Sequence, residues 1–381
     1  MTTVSQLPNA DARRNFLKNT AVALVSTALP AINFAQSAAA SATPQFSPVP
    51  GAWRTFEVTT RIDILKPQGT TRVWVPLPSV NTEWQKSLDN SFSSNGVTRL
   101  EDDGKTGARM LYAEFSDGAA QPYVEVTSRV QTQNRAQDWS KKPGLVVDPA
   151  LAQYWTQSTS LLPTDGIVRK TALEATRGAK TDVEKVQKIY DWIVTNTFRE
   201  PKVRGCGEGD IKSMLENGNL GGKCADLNAL FVGLCRAVGV PARDVYGVRV
   251  APSAFGYREL GGNNMASLSG AQHCRAEVYL TGLGWVGMDP ADVAKVMRQE
   301  TAAWIKSANN PLIAPVNKSL FGGWEGNWMA YNMAHDVTLP NSKGPALGFL
   351  MYPTAENALG RLDSYAPDDF KYKISAQELK V

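Results

Sequence analysis

The chain has 381 residues, more than one domain usually needs, with 43% hydrophobic and 20% charged residues. That balance fits a soluble globular protein with a large core and excludes a disordered or fibrous chain. Net charge is +4, and Arg13, Arg14 and Lys18 against Asp11 supply half of it. The remaining excess is small and unclustered, which excludes nucleic acid as a partner.

Residues 1–42 read as an address. Arg13-Arg14-Asn15-Phe16-Leu17-Lys18 resembles the core of a twin-arginine export signal, with Ala12 where that signal usually carries Ser or Thr. An apolar stretch from Ala21 to Ala35 follows, interrupted by Pro30 and Asn33. It is short for a membrane span, which needs about 20 residues. Ala38-Ala39-Ala40 and Ala40-Ser41-Ala42 both suit a signal peptidase. The expectation is export to the periplasm, with no stable membrane span after cleavage.

Strand signals start beyond Pro50. In "TFEVTTRIDIL" the apolar residues Phe56, Val58, Ile62 and Ile64 keep the period of two that buries one face of a sheet. "TRVWVPLP", "RMLYAEF" and "YVEVTSRV" continue as short runs separated by Gly, Asp and Pro. Residues 50–135 are therefore expected to form a β-rich domain, a small sandwich without a catalytic constellation of its own.

Helical signals follow Pro163. Thr181-Asp182-Val183-Glu184 has the capping-box pattern, and Val186, Ile189, Tyr190 and Ile193 make one apolar stripe. In "GNLGGKCADLNALFVGLCRAVGVPARDVYG", residues 218–247, the stripe is Leu227, Leu230, Phe231, Leu234 and Val238, ended by Gly239 and Pro241. "ARDVYGVRV", "HCRAEVYL" and "GWVGMD" then read as strands, the last two joined by a hairpin at Thr281-Gly282-Leu283-Gly284. Helices followed by antiparallel strands give an α+β layout over residues 160–340, with 341–381 as a C-terminal extension packing on the core.

Cys224 falls at the first turn of its predicted helix, where unpaired N–H groups and the helix dipole favour a thiolate. Gly221 and Gly222 before it would let a substrate backbone come close. By itself the position suits a small buried residue equally well. Activating a thiol for acyl transfer takes an imidazole, and the chain has two histidines, His273 and His335. His273 opens a strand whose hairpin partner returns to Asp289, so the carboxylate can approach the ring and fix its tautomer. His335-Asp336 is the rival pair, in surroundings rich in Trp324, Trp328 and Met333 that suggest a packed segment.

"GGKCADLNALFVGLCRAVGVPARDVYGVR" followed by "HCRAEVYLTGLGWVGMDPAD" resembles the core of the transglutaminase-like superfamily. Its triad runs Cys, His, Asp in chain order, which the resemblance carries onto Cys224, His273 and Asp289. Flanking residues agree, among them Gly239 to Arg243, Glu277, Gly284-Trp285 and Pro290. From about residue 50 to 375, including "GNWMAYNMAHDVTLP" and "RLDSYAPDDFKYKI", the chain is similar to exported bacterial transglutaminase-like cysteine peptidases. The resemblance implies a papain-like catalytic domain of the cysteine proteinase fold, and a peptide or protein substrate. The expected reaction passes through a thioester on Cys224, with hydrolysis favoured over amine transfer. A crosslinking transglutaminase and a non-catalytic peptide-binding module on the same fold are the alternatives.

Many relatives have Trp two residues after the catalytic His, where this chain has Arg275, so the substrate cleft is open to question. Asp-rich loops of EF-hand type and Cys-x-x-Cys pairs are missing from the sequence, and no cofactor or metal is expected. The second oxyanion donor is left unassigned; Asn217 and Asn219 read as turn formers. Arg243 and Arg249 read as buried structural pairs. Cys206 lies close enough to cap Cys224 oxidatively, Cys235 lies about 16 Å along the same helix, and alternation turns Cys274 to the sheet face opposite His273.

Overall fold

In the strand Arg54–Asp63 alternation places Phe56, Val58 and Ile62 inward, and all three are buried. The computed structural model describes residues 44–140, 147–366 and 370–380, and the export leader expected over 1–42 lies outside them. Arg54–Asp63 pairs antiparallel with Tyr123–Thr132 on one side and Lys371–Leu379 on the other, and Gln85–Ser94 completes this four-stranded sheet. A five-stranded sheet takes Val97–Asp102, Arg109–Phe115, Thr71–Leu77, Thr354–Asn357 and Gly360–Arg361 in spatial order. Ile62, Val124 and Val126 of the first sheet share a buried cluster with Val73, Val75, Leu111 and Phe115 of the second. The closing segment, from residue 341 on, thus gives strands to both sheets.

The third sheet holds His273. Its six strands run Trp328–Asn332, Ala242–Arg249, Gln272–Leu280, Gly284–Met288, Phe321–Trp324 and Arg135–Ala136. Helix Cys224–Ala237 lies against it, and all of its residues are buried. Leu230, Phe231 and Leu234 join Val245, Ala276 and Val278 of the sheet, and Val186, Ile189, Tyr190 and Ile193 of helix Asp182–Asn196, in one cluster. A helix enclosed on every side is largely apolar, which is why Ala, Val and Cys fill most positions outside the Leu/Phe stripe, while its buried Asp226, Asn228 and Arg236 are each hydrogen-bonded.

Helix Asp182–Asn196 has its capping box: Glu184 N–H donates to Thr181 Oγ1 at 3.2 Å, and Thr181 N–H donates to Glu184 Oε2 at 3.3 Å. Gly239, at φ +82°, follows the end of the buried helix in a conformation that disfavours any side chain. Among the described residues no helix is long and apolar enough to cross a membrane.

Glu277, on the strand that starts at Gln272, is 1% exposed and receives two guanidiniums. Arg243 comes from the neighbouring strand at 2.6 Å, and Arg135 from the short strand at the far edge of the sheet. Burial pushes the Glu277 carboxyl up, but Arg243 and Arg135 outweigh it and the group stays ionised.

Candidate active site

Cys224 is the first residue of its helix, preceded by Lys223 in an extended conformation at φ −112° and ψ −165°. The turn into the helix is held by Asp226. Its carboxylate accepts the Lys223 N–H at 2.8 Å and the Glu208 and Gly209 N–H groups at 2.9 Å each. A Cβ on Gly222 would stand 2.6 Å from the Asp226 side chain, and one on Gly221 would stand 2.5 Å from the Phe198 ring. Close packing behind Cys224 therefore demands these glycines, a different reason from the substrate access that the sequence suggested.

His273 and Asp289 meet through the hairpin. Ala276 pairs with Met288, so Asp289 follows the returning strand just as helix Pro290–Gln299 begins, with Asp289 as its N-cap. Asp289 Oδ2 lies 2.7 Å from His273 Nε2. Its Oδ1 accepts the Asp292 N–H at 3.1 Å, as an N-cap should, and a hydrogen of Asn228 Nδ2 at 3.1 Å. The carboxylate is thus fixed before any substrate arrives. With Nε2 engaged, Nδ1 is the ring nitrogen left for a further partner, and His273 and Cys224 line the same recess.

Two residues not anticipated from the sequence complete the arrangement. Asp292 Oδ2 stands 3.3 Å from His273 Nε2, and both its oxygens accept from Arg249 Nη2 at 2.6 and 2.8 Å. Asn228, one turn along the helix from Cys224, donates to the Cys274 carbonyl at 2.8 Å and accepts the Ala291 N–H at 3.2 Å. It ties the Cys224 helix, the His273 strand and the Asp289 cap together. Asn228→Ala should cost about 2 kcal/mol of unfolding free energy in urea titrations, because it strands buried polar partners; a loss below 0.5 kcal/mol would refute that role.

Burial opposes ionisation of Cys224, but hydrogen bonds from Cys206, Cys274 and His273 and the His273 charge overcome it and hold the thiol well below its ordinary range. Burial and Arg249 push His273 down, whereas Asp292 and Asp289 push harder the other way and raise it to about 9. Both shifts favour the thiolate–imidazolium pair over the neutral one. Bonding to Cys224 raises Cys206, while burial and then Cys206 raise Cys274, so both remain protonated donors. The Cys206 hydrogen has a second acceptor in reach, the Gln272 carbonyl at 3.2 Å. Alternation along the strand does not take Cys274 out of the site, since it shares a buried cluster with Cys206 and Cys224. All four cysteines are free thiols, and Cys235 is buried in the main core.

Arg275 does not reach the cleft. It is 2% exposed, its guanidinium lies over the Trp328 ring at 4.5 Å, Nη1 donates to the Glu325 carbonyl, and Nε sits 3.5 Å from Asp289 Oδ2. Its charge backs the carboxylate from behind. Arg243 and Arg249 form the buried pairs expected of them, and Arg249 also borders the recess in front of Cys224. His335 has Asp336 at 3.2 Å and the rings of Tyr154 and Trp155 as neighbours. Asn217 ends helix Ile211–Asn217, and Asn219 accepts the Gly221 N–H, both turn roles. Ligand atoms of His273, Asp289 and Asp292 lie within 4.8 Å of one another, as a cation site would require. The Arg249 guanidinium already supplies that cluster's positive charge. The spacing Asp289-Pro-Ala-Asp292, an N-cap with a carboxylate three residues on, was the available signal for Asp292.

The thiol at the helix start and the imidazole–carboxylate hairpin belong to a recognised class. The model of the transglutaminase-like superfamily matches residues 169–290, and the chain belongs to that superfamily. An uncharacterized protein of Haemophilus influenzae is 35% identical over 344 residues, covering 85% of this chain and 91% of its own. A solved structure from Cytophaga hutchinsonii, described provisionally as a cysteine protease, shares the fold at TM-score 0.53. It is 15% identical and covers 88% of this chain and 94% of its own. The periplasmic domain of TgpA from Pseudomonas aeruginosa, 19% identical over 66% of this chain and 92% of its own, superimposes at TM-score 0.33, too slight a likeness to argue from.

Proposed function

We propose that this protein is an exported, periplasmic thiol enzyme that cleaves peptide or amide bonds. Cys224 is the nucleophile, His273 the general base and acid, and Asp289 the carboxylate that orients it. One observation carries the reading: Asp289 holds the ring of His273 at 2.7 Å, and that ring and the sulfur at the helix start share the walls of one recess. The thiolate attacks a peptide or side-chain carbonyl, the imidazolium donates its proton to the departing amine, and a thioester remains. Water activated by the now neutral His273 releases the acid and restores the thiolate. The Cys224 N–H, first in its helix, can receive the oxyanion. The recess in front of Cys224, about 230 Å³, has Asn263, Asn264 and Gln272 in its walls, and such a polar setting suits resolution by water. The N-terminal sheets form a sandwich-like domain, and Arg13-Arg14 heads the export leader.

Full-length protein incubated with a glutamine-containing peptide pool and a labelled primary amine tests the reaction. Mass spectrometry should find cleaved or deamidated peptides, lost in Cys224→Ser. Labelled amide exceeding hydrolysed product would make the enzyme a crosslinker. Absence of both products, with Cys224 slow towards alkylating agents, would make it a binding module.

A further inference from the structure

The cations around Cys224 fall into two groups. Most have carboxylate partners: Arg249 with Asp292, Lys295 with Glu259 at 3.3 Å, and Arg204 with Asp363. Two do not. Arg199 is fixed beside the nucleophile loop by a short parallel bridge in which it pairs with Gly222, two residues before Cys224. Its Nε donates to Gln299 Oε1 at 3.1 Å, and among the described residues no carboxylate lies within ion-pairing distance of its guanidinium. Lys223 adjoins Cys224 in the chain. Its backbone N–H is bonded to Asp226, but its ammonium has neither hydrogen bond nor ion pair among the described residues. Both side chains are half-buried, and each opens on a cavity. Arg199 lines the recess that holds Cys224 and His273, while Lys223 lines an adjoining one of about 380 Å³ with Cys206 and Gln272.

The bridge to Gly222 brings Arg199 beside Lys223, and a single Cys224 thiolate offsets only one of these two partly buried positive charges, so a further anion is favoured there. That place is the mouth of the site, within reach of whatever Cys224 attacks. We propose that Arg199 and Lys223 form a carboxylate subsite beside the nucleophile, and that the substrates carry a carboxylate close to the scissile carbonyl. The carboxylate comes from an acidic side chain or a chain terminus. The proposal rests on Cys224 being the nucleophile, and it adds the charge of the substrate.

Iodoacetate and iodoacetamide differ chiefly in the charge each brings to the sulfur, so they probe the subsite without a known substrate. Cys224 alkylation in the full chain, followed by peptide mapping, gives a rate ratio of iodoacetate to iodoacetamide. That ratio should exceed the value for free cysteine about fivefold and shrink in high salt. In R199Q/K223Q it should fall at least threefold, whatever the common change in thiol reactivity, and R199K/K223R should restore it. An unchanged ratio in R199Q/K223Q, with Cys224 still rapidly alkylated, overturns the subsite and leaves the nucleophile standing. Slow labelling of wild-type Cys224 by both reagents overturns the nucleophile and the subsite together. Protection of Cys224 by glutamate-containing peptides with blocked ends assigns the carboxylate to a side chain, and protection only by peptides with a free C-terminus assigns it to the terminus. Equal protection by neutral, fully blocked peptides counts against the subsite.

Discussion

At about pH 5.5 iodoacetamide should alkylate Cys224 on the order of 30-fold faster than free cysteine, and His273→Ala should remove most of that advantage. An ordinary thiol at this pH is about one part in a thousand thiolate. A thiol held ionised gains that factor, less the nucleophilicity lost as pKa falls. The imidazolium that sustains the thiolate rests in turn on the two carboxylates at 2.7 and 3.3 Å from His273 Nε2. The pH window follows from the two shifts. His273 is raised to about 9, so its stabilisation is complete below its ordinary value, about 6.5, and is lost as pH climbs through 9. Cys224 is lowered, so its stabilisation is present above the ordinary thiol range and is lost as pH drops through the depressed value. Alkylation should therefore hold level from mildly acid to alkaline pH, whereas acyl transfer, which needs the imidazolium as acid, should decline above 9. Rates measured by mass spectrometry across pH decide the matter; equal, slow labelling of wild type and His273→Ala would remove the basis for catalysis.

Glu277→Ala should lower the unfolding free energy by about 3–5 kcal/mol, the usual cost of removing one member of a buried ion pair and stranding its partner. Here two partners lose it, Arg243 and Arg135, at 11% and 6% side-chain exposure, and Arg135 keeps only the exposed Glu83 at 3.5 Å as a carboxylate partner. The Arg243 guanidinium would keep the Trp285 ring at 3.7 Å as a neighbour, which softens its loss. Arg135 also donates to the Trp285 carbonyl. Glu277 lies on the His273 strand, four residues on, so the variant should also relax the site, and its Cys224 alkylation rate at acid pH should drop. Urea unfolding measures the first effect, and a change under 1 kcal/mol would mean that the two guanidiniums find water.

The local pieces of this site were legible because each rests on short-range physics. Gly-Gly-Lys-Cys before an apolar run placed the sulfur at a helix start, and the hairpin spacing brought Asp289 back to His273. What the sequence hid is what long-range pairing decides. Asn228 is one of three polar residues in a mostly apolar helix, beside Asp226 and Arg236, and only the fold shows it bonded to Asp289 and to Cys274. Arg275 read as a change in the cleft, whereas the Trp324 and Trp328 rings enclose it behind the carboxylate. The strands Gln85–Ser94 and Val97–Asp102 escaped notice because both are mostly exposed and lack an alternating apolar face. No local signal joins Arg199 to Gly222 across a two-residue bridge.

The pairing of Arg54–Asp63 with Lys371–Leu379 bears on how the molecule is made. Among the described residues this first strand leaves the ribosome long before Lys371–Leu379 is translated, and one of its two hydrogen-bonding edges stays open until then. An open edge of this kind invites pairing with other chains, and Lys371–Leu379 acts as the clasp that ends the exposure.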